Sequence, residues 1–199
     1  MKLVFQISIL LILGGICLGQ QTHRGPVEFF KEEITLTILD STASVSGIYY
    51  FRNNTDNSTP FTIIFPFYVD SACSFPDKIR AFAADGDDTL DLDVSRRVAA
   101  ENAVRLDIPM TPGNVAKWHL EYSQRIRTPH ARYILTTTAG WGEPLEEATY
   151  KFVVPRDYRI LSIWPRPDST RMEGEFAIYR SAMKSFMPQR DMEISWQRR

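Results

Sequence analysis

Apolar and polar residues alternate with a period of two along almost the whole chain after its first twenty residues, as strands with one buried face require. Ile34, Leu36 and Ile38 alternate with threonines, and Asp40-Ser41-Thr42 supplies a turn. Val45, Gly47, Tyr49 and Phe51 alternate on the return. The polar stretch from Asn53 to Pro60 predicts a long turn, because Asn and Asp side chains bond back to the local backbone. Phe61 to Val69 is rich in β-branched and aromatic residues, and Pro66 within it predicts a sheet edge or a bulge. Further strands are expected around Ile79–Phe82, Leu90–Leu92, Val104–Ile108, Trp118–Ile126, Tyr133–Leu135, Ala148–Val154, Ile160–Trp164 and Met192–Trp196. Ser95 to Asn102 reads as a loop or one helical turn, and Glu175 to Arg180 as a strand followed by an irregular segment to Pro188. The expectation is an all-β fold: a two-layer antiparallel β-sandwich of about ten strands, with little helix beyond the first segment. A barrel is the lesser option.

The first nineteen residues break the pattern. Met1-Lys2 is a short cationic start, Leu3 to Leu18 is almost wholly apolar, and small Gly19 offers a cleavage point before Gln20. A spanning helix needs about 20 apolar residues, and this run is shorter and interrupted by Gln6. It therefore reads as an export signal at 1–19, ahead of one β-sandwich domain at 20–199, in a secreted or periplasmic protein. A retained anchor or lipid attachment at Cys17 are the competing readings, and Ile16 fits the second poorly. No second apolar segment follows, so no membrane span is expected in the mature chain. The remainder is long enough to bury a sizeable core without disulfides or metals.

Composition narrows the function mainly by exclusion. Net charge is −1 with both signs interspersed, and no long basic stripe exists to grip nucleic acid. With Cys17 in the signal, Cys73 is left alone as a free thiol, buried or paired between chains. A nucleophilic role for it would need a base, and His119 or His130 are the available partners. The three histidines have no ligand-like spacing, so no metal site is expected from them. The acidic cluster of Asp85, Asp87, Asp88, Asp91 and Asp93 reads as a solvated hairpin rather than a calcium loop. Met183, Met187 and Met192 read as packing rather than copper ligands. No cofactor is expected. Asn53 and Asn57 both open Asn-X-Thr/Ser glycosylation patterns and mark an exposed turn.

Two stretches carry a resemblance. Tyr50-Phe51-Arg52-Asn53-Asn54-Thr55 followed by Ile64-Phe65-Pro66-Phe67, and Tyr133-Ile134-Leu135-Thr136-Thr137 with Trp141, Pro144-Leu145, Ala148, Tyr150 and Pro155, resemble vault/inter-alpha-trypsin type β-sandwich domains and related uncharacterised exported bacterial domains. The resemblance implies a sandwich, export and an interaction role, and carries over no catalytic residues. Read from the residues themselves, Trp141 lies between Gly140 and Gly142, where its ring can pin a loop or be presented as a contact anchor. With Tyr133, Trp164 and Phe67 it forms the expected binding surface for a protein or glycan partner. The function expected is a non-catalytic exported module that binds such a partner or serves a cell-envelope structure. The alternative is an enzyme with scattered residues, using Cys73 and a histidine.

Overall fold

The computed structural model describes residues 25–85, 88–95 and 102–198. In chain order the strands are β1 (Val27–Leu39), β2 (Thr42–Asn53), β3 (Thr59–Pro66), β4 (Lys78–Asp85), β5 (Asp88–Leu92), β6 (Val94–Ser95) and β7 (Ala103–Met110). They continue with β8 (Val115–Arg125), β9 (His130–Tyr133), β10 (Leu145–Pro155), β11 (Tyr158–Trp164), β12 (Ser169–Glu173), β13 (Phe176–Phe186) and β14 (Met192–Arg198). One layer is an eight-stranded sheet in the order β12-β13-β10-β1-β2-β8-β4-β5. The rest of the strands form two separate three-stranded sheets, β11-β14-β9 and β3-β7-β6. The all-β, sandwich-like expectation holds, with two corrections. Fourteen strands are described rather than about ten. The large sheet is mixed rather than antiparallel, because β1 and β10 run parallel from Lys31↔Glu147 to Thr37↔Val153.

The alternating pattern explains most of these strands. Ile34, Leu36 and Ile38 of β1, Val45, Tyr49 and Phe51 of β2, Trp118, Leu120 and Tyr122 of β8, and Tyr150, Phe152 and Val154 of β10 are all buried. Each such side chain contributes about 1.5–3 kcal/mol by leaving water. The β1–β2 hairpin closes through Asp40-Ser41, with Asp40 in the left-handed region (φ 51°), which suits the right-handed twist of the flanking strands. Gly47 is required where it stands: a Cβ there would meet the ring carbons of Tyr49 at 2.7 Å. Glycine is therefore what lets that ring lie back along β2.

A bulge near the start of β1 decides the rest. The register with β2 shifts between Phe29 and Lys31. Val27 and Phe29 face inward on one side of the shift; Glu32, Ile34, Leu36 and Ile38 face inward on the other. A β-bulge inserts one residue and so resets the period-two phase. Here it turns a glutamate into the core.

Several local expectations change. The segment expected to be irregular up to Pro188 continues β13 as far as Phe186, because Met183, Lys184 and Phe186 pair with Ala148, Glu147 and Leu145 of β10. The threonine run after Tyr133 is a short 3-10 helix, Thr136–Trp141, closed by Gly142 with φ 82°. Pro66 ends β3, which pairs only with β7 and is an edge strand. Asn53 does not mark an exposed position: it is 1% exposed, and its Nδ2 donates to the carbonyls of Asn57 (2.9 Å) and Thr111 (3.0 Å). Its Oδ1 accepts from the backbone N–H and hydroxyl of Thr55, so it organises the turn from inside. Asn57 is exposed. Residues 1–24, which include the expected signal, and 96–101 within the expected Ser95–Asn102 loop lie outside the described residues. Among the described residues no helix is long and apolar enough to cross a membrane.

Candidate functional site

The split in the second layer leaves a cavity of about 190 Å³ against the large sheet. Its floor comes from three adjacent strands of that sheet: Phe29 and Glu32 on β1, Tyr49 and Phe51 on β2, and Trp118 on β8. Its roof comes from two sheet edges. Residues Thr62 to Pro66 of β3 close one side, and Tyr133 of β9 with Thr137, Thr138 and Trp141 of the 3-10 helix close the other. Thr62, Ile64 and Thr137 line the cavity and are also exposed, so it reaches solvent between the two edges.

Aromatic rings form most of the wall. Tyr49 stacks on Trp118 with centroids 4.5 Å apart, and Phe29 on Phe51 at 4.9 Å. Trp141 packs at 5.3 Å from Phe51, 5.4 Å from Phe61 and 5.7 Å from Phe29. Such pairs add about 0.5–1.5 kcal/mol each beyond burial, so the wall is stiff. The Tyr49 and Tyr133 hydroxyls share a hydrogen bond of 2.6 Å across the two layers. Burial pushes both phenols well above their ordinary range, so both stay neutral. Trp118 Nε1 is buried without a hydrogen-bond partner among the described residues.

Glu32 is the one ionisable carboxyl in this wall. It is 2% exposed, and the hydroxyl of Tyr150 donates to its Oε1 at 2.6 Å. Burial raises its pKa to about 7, against the opposing effect of the Tyr150 bond. Among the described residues no Lys, Arg or His lines the cavity, so none of them sets a cation beside the carboxylate. Sequence reasoning missed this residue. The signal was present: the alternation of Ile34, Leu36 and Ile38, extended back by two, lands on Glu32.

A second buried carboxylate holds the roof. Asp191 is 4% exposed, and its Oδ1 accepts from the backbone N–H groups of Leu135 and Thr136 (both 3.0 Å) and from the Thr136 hydroxyl (2.8 Å). Arg132 donates to Oδ2 through Nε and Nη2 at 2.9 and 2.7 Å. Asp191 thus ties the end of β9 and the start of the 3-10 helix to the base of β14.

The residues expected to form one binding surface do not share a patch. Tyr133 and Trp141 both line the cavity. Phe67 is buried against Phe65, Phe75 and Tyr122, where it fills the core. Trp164 lies elsewhere, on β11, near Phe186 and beneath the guanidinium of Arg190. The alternation that buries Phe65 and Tyr133 also buries Phe67, so an exposed aromatic surface of these four is ruled out.

Cys73 is a buried free thiol, 5% exposed, in an isolated bridge to Ile126. It does not line the inter-sheet cavity. Burial, and next the nearby Asp70 carboxylate, push its pKa up to about 11, the opposite of what a nucleophilic thiolate needs. His119 points away, stacked on Phe82 at 4.7 Å. Alkylation of the native protein at neutral pH is therefore expected to be far slower than of the unfolded chain, rising only in alkali. Fast native labelling below about pH 7 would restore the thiol-enzyme reading. Of the other candidates, Asp91 pairs with Arg80 on the exposed hairpin (3.1 Å) and Met192 is fully buried in the core. Among the described residues no three His, Cys, Asp or Glu side chains gather as metal ligands.

No protein-family model matches the chain, and no curated protein sequence matches it. A solved structure from Legionella pneumophila, described as a "putative nutrient binding protein", is similar in fold, with a TM-score of 0.69 at 14% sequence identity. The similarity covers 87% of this chain and 67% of that one. At this identity it speaks for the fold alone.

Proposed function

We propose that this protein is an exported, non-catalytic binding module whose ligand enters the cavity between the large sheet and the β3 and β9 edges. One observation carries the reading: a stiff aromatic pocket open to solvent contains a single buried carboxyl without a counter-charge. Binding sites have this make-up, mostly apolar walls with a few placed polar groups. Size narrows the ligand. A dry cavity of about 150 Å³ accepts a benzene ring, so about 190 Å³ takes one ring or headgroup rather than an oligosaccharide or a peptide segment. The binding role named for the Legionella protein of similar fold agrees with this reading. The apolar run Leu3–Leu18 supports export, to the periplasm or outside the cell.

The test uses the two tryptophans of the wall. Ring-sized compounds should change Trp118 and Trp141 emission and raise the melting temperature, by an amount equivalent to about 2.7 kcal/mol at a hundredfold excess over Kd. Thr138→Leu, which places extra carbon in the cavity, should weaken that binding at least tenfold. A Thr138→Leu protein that folds and binds as tightly as the parent would move the site elsewhere.

A further inference from the structure

We propose that the ligand of this cavity is a small organic cation, an ammonium or quaternary ammonium headgroup held between the aromatic wall and the Glu32 carboxylate. The inference rests on the cavity being the binding site and adds the chemical class. Three features lead to it. First, among the described residues Glu32 is the sole ionisable carboxyl in the wall and no basic side chain lines it, so a carboxylate there is open to a cation that arrives from outside. An unpaired buried charge costs several kcal/mol, and an oppositely charged partner of good geometry offsets part of that cost. Second, Tyr150 is the one hydrogen-bond donor to Glu32 among the described residues, and it uses Oε1, leaving Oε2 for a ligand. Third, five aromatic residues, Phe29, Tyr49, Phe51, Trp118 and Trp141, line the wall, and clustered aromatic rings are what recognise quaternary ammonium groups through their negative quadrupoles.

The alternatives fit less well. An anion would meet a wall with no basic residue and one carboxylate. A sugar ring would bury several hydroxyls against a wall whose polar side chains, Glu32 apart, are a few threonines, two tyrosines and two indoles. Unpaired buried hydroxyls are costly.

Protonation adds a signature. With its pKa near 7, Glu32 is largely neutral at pH 6 and largely ionised at pH 8. The groups that face it are Tyr49 from β2, Tyr133 from β9 and Tyr150 from β10, all phenols whose pKa burial raises, so none of them changes charge in that range. Cation binding should therefore tighten as pH rises through 7 and release a proton from Glu32.

The probes are choline and its uncharged isostere 3,3-dimethylbutan-1-ol, titrated calorimetrically into the full mature chain at pH 6 and pH 8. At pH 8 choline should bind at least tenfold more tightly than the isostere, and the preference should shrink at pH 6. Glu32→Gln should remove the preference, bringing choline and the isostere to within about twofold of each other at both pH values. Choline that binds no better than the isostere, or a preference that survives in Glu32→Gln, overturns the cation assignment. If uncharged rings still bind and Thr138→Leu blocks them, the cavity remains the site and only the class fails. If neither choline nor any uncharged ring binds, both readings fail.

Discussion

Asp191→Ala is expected to cost about 1–3 kcal/mol, the range for leaving a buried hydrogen-bonding group without its partner. The reason is local. Alanine leaves the buried Leu135 N–H and the Thr136 N–H without their acceptor, and leaves the half-buried Arg132 guanidinium with Glu193 alone at 3.5 Å. At about 2–4 °C per kcal/mol for a domain of this size, the melting temperature should fall on the order of 5 °C. Asp191→Asn should cost less, because one carbonyl oxygen can still accept the backbone N–H groups. The pH dependence has a definite sign. Burial alone would raise this carboxyl, but the Thr136 N–H, Arg132, the Thr136 hydroxyl and the Leu135 N–H outweigh it and hold it below the usual range. A depressed carboxylate contributes stability above its unfolded value of about 4 that is lost as pH falls through the folded value. Denaturant unfolding of parent and variant should therefore converge in strong acid. Hydrogen exchange should show opening of Thr136–Trp141, the roof of the cavity, ahead of the large sheet. A loss under about 1 kcal/mol, the scale of a surface pair, would show that Asp191 does not anchor that roof.

Glu32→Gln is expected to do the reverse and stabilise the protein at alkaline pH. A carboxyl whose folded pKa is raised contributes stability below its unfolded value that is lost as pH rises through the folded one. For Glu32 that window runs from about 4.5 to about 7. The corresponding cost at pH 8 is on the order of 3 kcal/mol, at about 1.4 kcal/mol per pKa unit. Glutamine keeps an oxygen to accept the Tyr150 hydroxyl and carries no charge to bury. The difference between variant and parent should be near zero at pH 4.5, grow to pH 7 and level off above it. Unfolding curves across that range measure it directly, and a difference independent of pH would show that Glu32 does not titrate in the fold. Retaining a residue that destabilises the empty protein is the trade expected of a binding group.

How much of this was legible beforehand follows from what alternation can and cannot encode. The strands β1, β2, β8 and β10 are written in the chain, because each shows its buried face every second residue, and so is the edge position of β3, marked by Pro66. Periodicity ranks residues by face, however, and says nothing of which strand lies beside which. The parallel pairing of β1 with β10 joins segments more than a hundred residues apart and was invisible. So was the continuation of β13, which exists only because β10 is there to pair with it. The candidate site suffered most. Tyr133 and Trp141 were singled out for their rings, yet Phe67 and Trp164 were grouped with them, since aromatic character is local while a shared patch is not. Glu32 sat in plain sight two residues before Ile34 and in the same buried phase, but a glutamate is a residue type almost never fully buried, so its polarity masked the phase. By itself, then, the sequence determined an all-β chain, its strand faces and Cys73 as the one cysteine outside the apolar first segment. Only the tertiary structure decided that the second layer is split, that the split opens over Glu32, and that no cation among the described residues lines it. Those outcomes depend on distances between strands remote in sequence, which a period of two cannot specify.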